Sequence, residues 1–401
     1  MTETQRIIEA YRRAREENIR AALATVVRVE GSAYRRPGAR MVITEAGRAT
    51  GAVSGGCLES DVRERAAKVM RTGRSTLVKY DTTSDDEILW GLGLGCNGIV
   101  HVLIEPARAR ADHLVRFLDA CSKSQDRAAF ATVIRSEGVA EVVLGIRLFL
   151  YPDGVSECDA GAPENGITQR ILTDLHTAVR RGVSSVTNYG ADDAVEVFIE
   201  VVEPQVPLVI FGAGADAVPL VEMARHLGWH TTVVDTHARS RSLDRFANAD
   251  AVILCRPEEV SARVTLTEST AVVLMTHNYF HDVEVLNVLL NKPARYVGCL
   301  GPRRRTERLL SEVRSAFVAD TSSLGHLHAP VGMDLGAETP SEIALSIAAE
   351  ILAVLRGRSG GPLYARRGSI HGDAPAHAPK NWSPVADISS GTRIGCLAPD
   401  A

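Results

Sequence analysis

The sequence predicts an α/β protein with a doubly wound parallel sheet toward its C-terminal end. An α+β domain built from a tandem duplicated unit precedes that sheet. Three observations predict this. From residue 207 onward, short apolar runs alternate with helix-length segments, the pattern of a parallel sheet with crossover helices. The segment Ala22–Gly31 (ALATVVRVEG) recurs as Ala129–Gly138 (AFATVIRSEG), 107 positions later. A glycine turn, Gly212-Ala-Gly214, stands where the first strand of the alternation gives way to its helix.

The repeat organises residues 1–205, with copies spanning about 20–106 and 127–204. Each copy opens on a strand, Ala-x-Ala-Thr-Val, and continues through an arginine, a Glu-Gly turn and a second strand. A helix follows at about 58–72 or 167–181, and then a closing strand. The shift of 107 also carries Arg40 to Arg147 and Gly47 to Gly154, and a shift of 109 carries Gly73 and Tyr80 to Gly182 and Tyr189. At the ends, Glu105-Pro106 matches Glu203-Pro204. Residues shared by both copies serve the fold. Residues kept in one copy are better candidates for a site, and the first copy alone has Val53-Ser54-Gly55-Gly56-Cys57-Leu58-Glu59 and Gly93-Leu94-Gly95-Cys96-Asn97-Gly98.

The second domain is expected over 206–356. Pro207–Phe211 reads as a buried strand, Gly212-Ala-Gly214-Ala-Asp216-Ala217 as a turn, and the following segment as an amphipathic helix to about Leu227. The next strand, Thr231–Asp235, ends in an acid 21 positions after Gly214. This is a Rossmann-like arrangement. The first glycine permits the tight turn, the second lets backbone approach a pyrophosphate, and the acid accepts hydrogen bonds from a ribose. Asp216 puts a negative charge where phosphate would sit, which suits a sugar hydroxyl or a metal instead. Further apolar runs at 251–255, 271–276 and 296–300 supply more strands, and Thr339-Pro340-Ser341 starts a helix over Glu342–Leu355. Residues 357–401, rich in Gly, Pro, Ser, Ala and His, read as a disordered tail.

Composition narrows the function. A net charge of −4 over 401 residues offers no basic footprint for nucleic acid or for a membrane surface. No run approaches the 18 apolar residues of a spanning helix, and the first residues lack a secretory layout, so a cytoplasmic protein is expected. Seven cysteines at irregular spacing, without a Cys-x-x-Cys pair, argue against a disulfide framework or structural zinc. A homodimer is the default assembly.

Against that background Cys57 stands out as a thiol just ahead of a helix, where the dipole favours thiolate. Soft sulfur suits a thiophilic metal or sulfur transfer, and Cys96 in the second glycine-rich loop could serve the same site. Gly55, Gly56 and Gly95 would let backbone N–H groups approach an anion. Arg36, in Tyr34-Arg35-Arg36-Pro37-Gly38, offers a guanidinium to phosphate or carboxylate, whereas Arg40 has a counterpart in Arg147 and reads as structural. In the second domain, strand ends place His277, with His281 and Asp282 behind it, then Arg303 in Gly301-Pro-Arg303-Arg304-Arg305, and Asp334 in Gly332-Met-Asp334-Leu-Gly336, at the sheet's carboxyl edge. There is no Gly-x-Ser-x-Gly elbow and no zincin spacing.

Taken together, several segments resemble the XdhC/CoxI family, the accessory factors of molybdenum hydroxylases. In the first domain they are Gly38-Ala39-x-Met41, Val53–Glu59 and Gly93–Gly98. In the second they are Phe211–Gly214, Val233-Val-Asp235, Met275-Thr-His277 and Tyr296–Gly301. The most specific stretch is Pro330-Val-Gly-Met-Asp334-Leu-Gly-Ala-Glu-Thr-Pro340-Ser-Glu342. The resemblance covers about 20–106 and 205–355. It implies binding of the molybdenum cofactor, as molybdopterin or its dinucleotide form. It further implies support for cofactor sulfuration with sulfur from a cysteine desulfurase, and delivery to a molybdenum hydroxylase apo-subunit. Cys57 and Cys96 would then be the reactive thiols and the ligands through which the protein meets the cofactor's molybdenum. Gly55, Gly56, Arg36, Gly95, Gly212, Gly214, Asp235, His277, Arg303 and Asp334 would contact the rest of it. Two other readings stay open: an NAD(P)-dependent oxidoreductase with Asp235 on the ribose and His277 as acid/base, and a nucleotide-sensing scaffold whose cysteines are structural.

Overall fold

The computed structural model describes residues 2–82, 98–136, 143–159, 166–190, 194–236, 243–289, 292–316 and 326–366. They divide into two compact units, Met1–Gln205 and Val206–Ala401.

Unit 1 repeats one order of elements twice. The first pass is α1 (Glu3–Glu16), β1 (Ala21–Gly31), β2 (Arg40–Thr44), β3 (Ala49–Gly51), α2 (Glu59–Thr72), β4 (Thr76–Asp81) and β5 (Gly98–Pro106). The second is α3 (Ala109–Ser122), β6 (Ala128–Ser136), β7 (Arg147–Leu150), β8 (Ser156–Cys158), α4 (Gly166–Arg181), β9 (Ser185–Tyr189) and β10 (Val195–Val202). Both passes build five-stranded antiparallel sheets of matching order, β3-β2-β1-β5-β4 and β8-β7-β6-β10-β9. Each copy thus begins one helix earlier than the shared letters suggest. The match between α1 and α3 is one of burial rather than identity: Ile7, Ile8, Tyr11 and Ala14 are buried, and so are Leu114, Val115, Leu118 and Cys121.

Strand alternation sends Ala22, Ala24 and Val26 to the face covered by α2, and Ala129, Ala131 and Val133 to the face covered by α4. The opposite faces share one interior with α1 and α3, where Leu23, Val42, Phe117, Phe130 and Phe149 meet. A bulge interrupts the alternation in β1 between Val26 and Arg28, and a matching one lies where Val133 gives way to Arg135. The skipped residues, Val27 and Ile134, pack with Leu103 and Phe198.

The ladders correct one sequence match. Pro106 lies opposite Ala22 and Val201 opposite Ala129, so Glu105 corresponds to Glu200 and not to Glu203. Packing sets register, and a shared Glu-Pro dipeptide does not override it. The corrected register explains two buried ion pairs. Arg40 donates to Gly38 O at 2.8 Å and to Glu200 at 2.6 Å. Arg147, its counterpart, donates to Gly145 O at 3.3 Å and to both oxygens of Glu105. Each arginine is thus held by its own copy's glycine carbonyl and by the other copy's carboxylate.

Unit 2 is a six-stranded parallel sheet of order β13-β12-β11-β14-β15-β16. Its strands are β11 (Pro207–Phe211), β12 (His230–Asp235), β13 (Ala251–Leu254), β14 (Ala271–Leu274), β15 (Tyr296–Cys299) and β16 (Leu327–His328), the last unforeseen in the sequence. Helices α5 (Ala217–Leu227) and α8 (Pro340–Leu355) pack with one face, and α6 (Tyr279–Leu289) and α7 (Arg303–Ala316) with the other. The sheet reverses its winding at β11 and β14, the switch point at which such folds bind ligands. Thr339 and Glu342 form the capping box that starts α8. Residues 357–366 continue beyond α8 with a turn at Leu363–Ala365, and 367–401, the rest of the expected tail, lie outside the described residues. No described helix is long and apolar enough to cross a membrane.

Arg147 and Glu105 are 1% and 2% exposed, so removing one partner strands a charge in an apolar interior. Glu105→Ala should cost about 3–5 kcal/mol in urea unfolding, and the double change Glu105→Leu with Arg147→Met should cost less than either single truncation. Equal stability of Glu105→Ala and the parent chain would show that the pair does not hold the copies together.

Candidate functional site

In the first copy, β3 and α2 are joined by the Ser54–Leu58 loop. The hydroxyl of Ser54 organises it, accepting from the N–H groups of Gly56 and Leu58 at 3.1 Å each and donating to Glu59. Glu59 in turn accepts from the N–H of Ser54 at 2.9 Å. Burial pushes the Glu59 carboxyl up, but the hydrogen bonds from Ser54 outweigh it and hold the group below its usual range. Glu59 is therefore a staple of the turn and not a free acid. Gly56 adopts φ +116°, open to glycine alone without strain.

The staple presents Cys57 half-buried, its sulfur 3.5 Å from the Ser54 hydroxyl, immediately before the uncapped N-terminus of α2. The neighbouring loop reaches this turn at Gly55, where a side chain would meet the Tyr34 ring at 3.4 Å. Arg36 on that loop is exposed and makes no ion pair among the described residues. Its neighbours are committed, Arg35 to Glu3 at 2.6 Å and Arg40 to Glu200. Cys96 and Gly95 lie outside the described residues. The described residues stop at Thr82 and resume at Gly98, which pairs with Gly31 at the end of β1. The remaining described cysteines divide cleanly. Cys158 is exposed, while burial pushes Cys121 and Cys299 up to about 12 and raises Cys255.

In unit 2 the turn after β11 contains Gly212 at φ +125°, where a side chain would strike the carbonyl of Met275. Asp216 does not cap α5. Its carboxylate lies over Gly214 and meets Nε2 of His277 at 2.6 Å. His277, just beyond the end of β14, takes a left-handed φ of +57° that brings its ring to the turn. Asp235 closes β12, 5% exposed. Beside it Thr236 meets His281 Nδ1 at 2.9 Å. Thr276 donates to buried Asp282 at 2.5 Å, and Asp282 pairs with Arg305 at 2.7 Å. The Thr236–His281 pair and the Asp282–Arg305 bracket close the sheet edge with the protein's own groups, and sequence reasoning missed both. The structure brings together Gly212, Gly214 and His277 at one turn. Arg303 and Asp334 are both exposed, Arg303 at the start of α7 beyond β15 and Asp334 in the loop between β16 and α8.

The sequence also missed Glu350. It lies on the buried face of α8 and accepts from the Tyr296 hydroxyl and from the N–H of Gly332 at 2.8 Å, with His328 Nδ1 at 3.2 Å. Burial alone would raise its carboxyl, but bonds from His328, Tyr296 and Gly332 lower it. The only sequence signal was a lone acid among Ala348, Ala349 and Ile351. Among the described residues, no cluster of three or more His, Cys, Asp or Glu side chains is arranged to hold a metal.

Comparison with known proteins places these features. The model of the XdhC and CoxI family matches residues 14–81, and that of the XdhC Rossmann domain matches 208–351. A probable xanthine dehydrogenase subunit of Bacillus subtilis is 36% identical over 338 residues, covering 84% of this chain and 94% of that protein. The molybdenum cofactor insertion chaperone PaoD of Escherichia coli is 25% identical, with 83% of each chain covered. A crystal structure described as a xanthine dehydrogenase from Bacillus halodurans superposes with a TM-score of 0.70 at 30% identity, covering 91% of this chain and 99% of that one.

Two measurements test the geometry. Timed alkylation with peptide mass spectrometry should label Cys158 first and Cys57 next, leaving Cys121, Cys255 and Cys299 unlabelled until unfolding. Protection of Cys57 equal to that of Cys299 would contradict its placement. Because Glu350 is depressed in the folded state, its stabilisation is complete above the unfolded value of about 4.3 and is lost as pH falls through the lower folded value. Thermal unfolding between pH 7 and 3 should therefore steepen at the acid end, and Glu350→Gln should flatten that limb while lowering stability at neutral pH.

Proposed function

Because the chain belongs to the XdhC and CoxI family, we propose that it is an accessory factor of molybdenum cofactor maturation. In this reading it binds the molybdenum cofactor, as molybdopterin or its dinucleotide form. It supports sulfuration of that cargo with sulfur from a cysteine desulfurase, and it passes the cargo to the apo-subunit of a xanthine dehydrogenase-like molybdenum hydroxylase. The relatives' names support the molybdenum link, since one is a cofactor insertion chaperone and another belongs to a probable xanthine dehydrogenase. The observation that carries the reading in this chain is Cys57, a half-buried thiol on a stapled glycine turn that only the first copy possesses.

The residues suit such a cargo. The sulfur of Cys57 is a soft donor that suits molybdenum or sulfur transfer. Arg36 supplies an exposed guanidinium for the cofactor's phosphate, and Gly55 and Gly56 leave the turn beside the thiol without side chains. Cys96 with Gly95 would add the second thiol of the pair. Unit 2 by itself offers Gly212, Gly214, Asp235, His277, Arg303 and Asp334 along or beyond the carboxyl edge of its parallel sheet, where folds of this kind take ligands. Ser54 and Glu59 act through Cys57, holding its turn and leaving the thiol uncommitted to an acid.

Anaerobic purification from cells making the cofactor, followed by molybdenum quantification and fluorescence of the oxidised pterin, tests this. The parent chain should carry molybdenum and pterin together, and Cys57→Ala should lose most of both. A pterin-free parent chain that reduces a carbonyl substrate with nicotinamide would overturn the proposal in favour of an NAD(P)-dependent oxidoreductase.

A further inference from the structure

Both glycines of the turn after β11 sit hard against the protein's own atoms. A side chain on Gly212 would collide with the carbonyl of Met275, and one on Gly214 would collide with Oδ1 of Asp216. In a dinucleotide fold the second glycine exists so that backbone can approach the pyrophosphate. Here that space already holds a carboxylate. Asp216 makes no cap bond to α5, although it stands at the N-cap position, and its Oδ2 is engaged 2.6 Å from Nε2 of His277. The ring of His277 also reaches within 4.0 Å of the position a Gly214 side chain would take. His277 can do this because its backbone is held at φ +57°, an uncommon conformation for a residue other than glycine.

We propose that Asp216 is a built-in anion that closes the glycine turn to a nucleotide diphosphate, with His277 as the latch that holds it there. Asp216 is thus a specificity residue working by exclusion. A diphosphate brought to Gly214 would meet both the volume of the carboxylate and its charge. A ligand that does reach the turn meets a hydrogen-bond acceptor, and must present N–H or O–H donors, such as an amino-substituted pyrimidine edge or sugar hydroxyls. The inference does not rest on the cargo proposed above, because it concerns what the turn refuses.

A gain of binding tests it. ADP and NADH are titrated into the full chain, by calorimetry and by nicotinamide fluorescence respectively, for the parent, Asp216→Ala and Asp216→Asn. The parent should bind both weakly. Asp216→Ala should bind ADP at least about tenfold tighter, and Asp216→Asn should recover the part of the gain that is due to charge. Equal, tight ADP binding by parent and variants would overturn the proposal, as would no gain in either variant with thermal unfolding unchanged. Molybdenum and pterin content, measured separately, reports on the cargo and does not bear on this result.

Discussion

Unit 1 depends on the reciprocal burial of two arginines. Arg40 and Arg147 each point into the interior shared by the two sheets, and each finds its carboxylate on the other copy. A charge in such a place is costly unless it is paired and hydrogen-bonded. Neither copy supplies the pair alone, because Glu200 lies on β10 and Glu105 on β5. The interior is therefore a joint property of the duplication. It fixes how the inner faces meet, with Val27, Leu103, Ile134 and Phe198 packed together.

A core held by both copies leaves the loops at the sheet ends free to diverge. Beyond β3 the first copy has the Ser54–Glu59 staple and an accessible thiol. The counterparts of that turn lie outside the described residues; just before them the second copy has Asp159, which accepts from the N–H of Arg147 at 3.0 Å and meets His113 Nδ1 at 2.9 Å. His113 also meets Glu157 at 3.0 Å and lies against the Phe149 ring. The first copy's turn carries a half-buried sulfur held, among the described residues, only by a serine hydroxyl, whereas Asp159 and Glu157 tie α3 to β8. The asymmetry in the letters, a Ser-Gly-Gly-Cys turn in one copy alone, supports placing function in the first copy.

Local features were legible in the sequence, and features created by register were not. The strand Ala22–Gly31 and its echo, the Gly212 turn, the acid at 235 and the capped helix over Glu342–Leu355 each depend on a few adjacent residues. The equivalence of Glu105 with Glu200 was hidden because it exists only once the ladders are paired. The leading helices were hidden because Ile7 and Leu114, or Ala14 and Cys121, share burial without sharing identity. Glu350 finds Tyr296 54 positions away, and Thr236 finds His281 45 positions away, so neither contact leaves a mark in any short window. For the site, Cys57 and Arg36 were identifiable by what the duplicate lacks. The staple that positions the thiol emerged only from the hydrogen bonds of Ser54.

The same distinction bears on the meaning of a motif. Gly-x-Gly after a strand, with an acid at the end of the next, is the signature of a dinucleotide site, because each residue answers to a part of that ligand. In this chain each residue answers to the protein. Gly212 yields to Met275, Gly214 yields to Asp216, and Asp235 is buried at the strand's end. The neighbouring strand ends are closed by Thr236 with His281 and by Asp282 with Arg305. A fold can keep its turn geometry after the ligand that first explained it is no longer accommodated, since the close approach of β14 and α5 still demands small residues. The turn of unit 2 is therefore shaped by its own packing, and under the proposal above Asp216 sets which ligand it refuses. It leaves the accessible thiol of unit 1 as the stronger pointer to function.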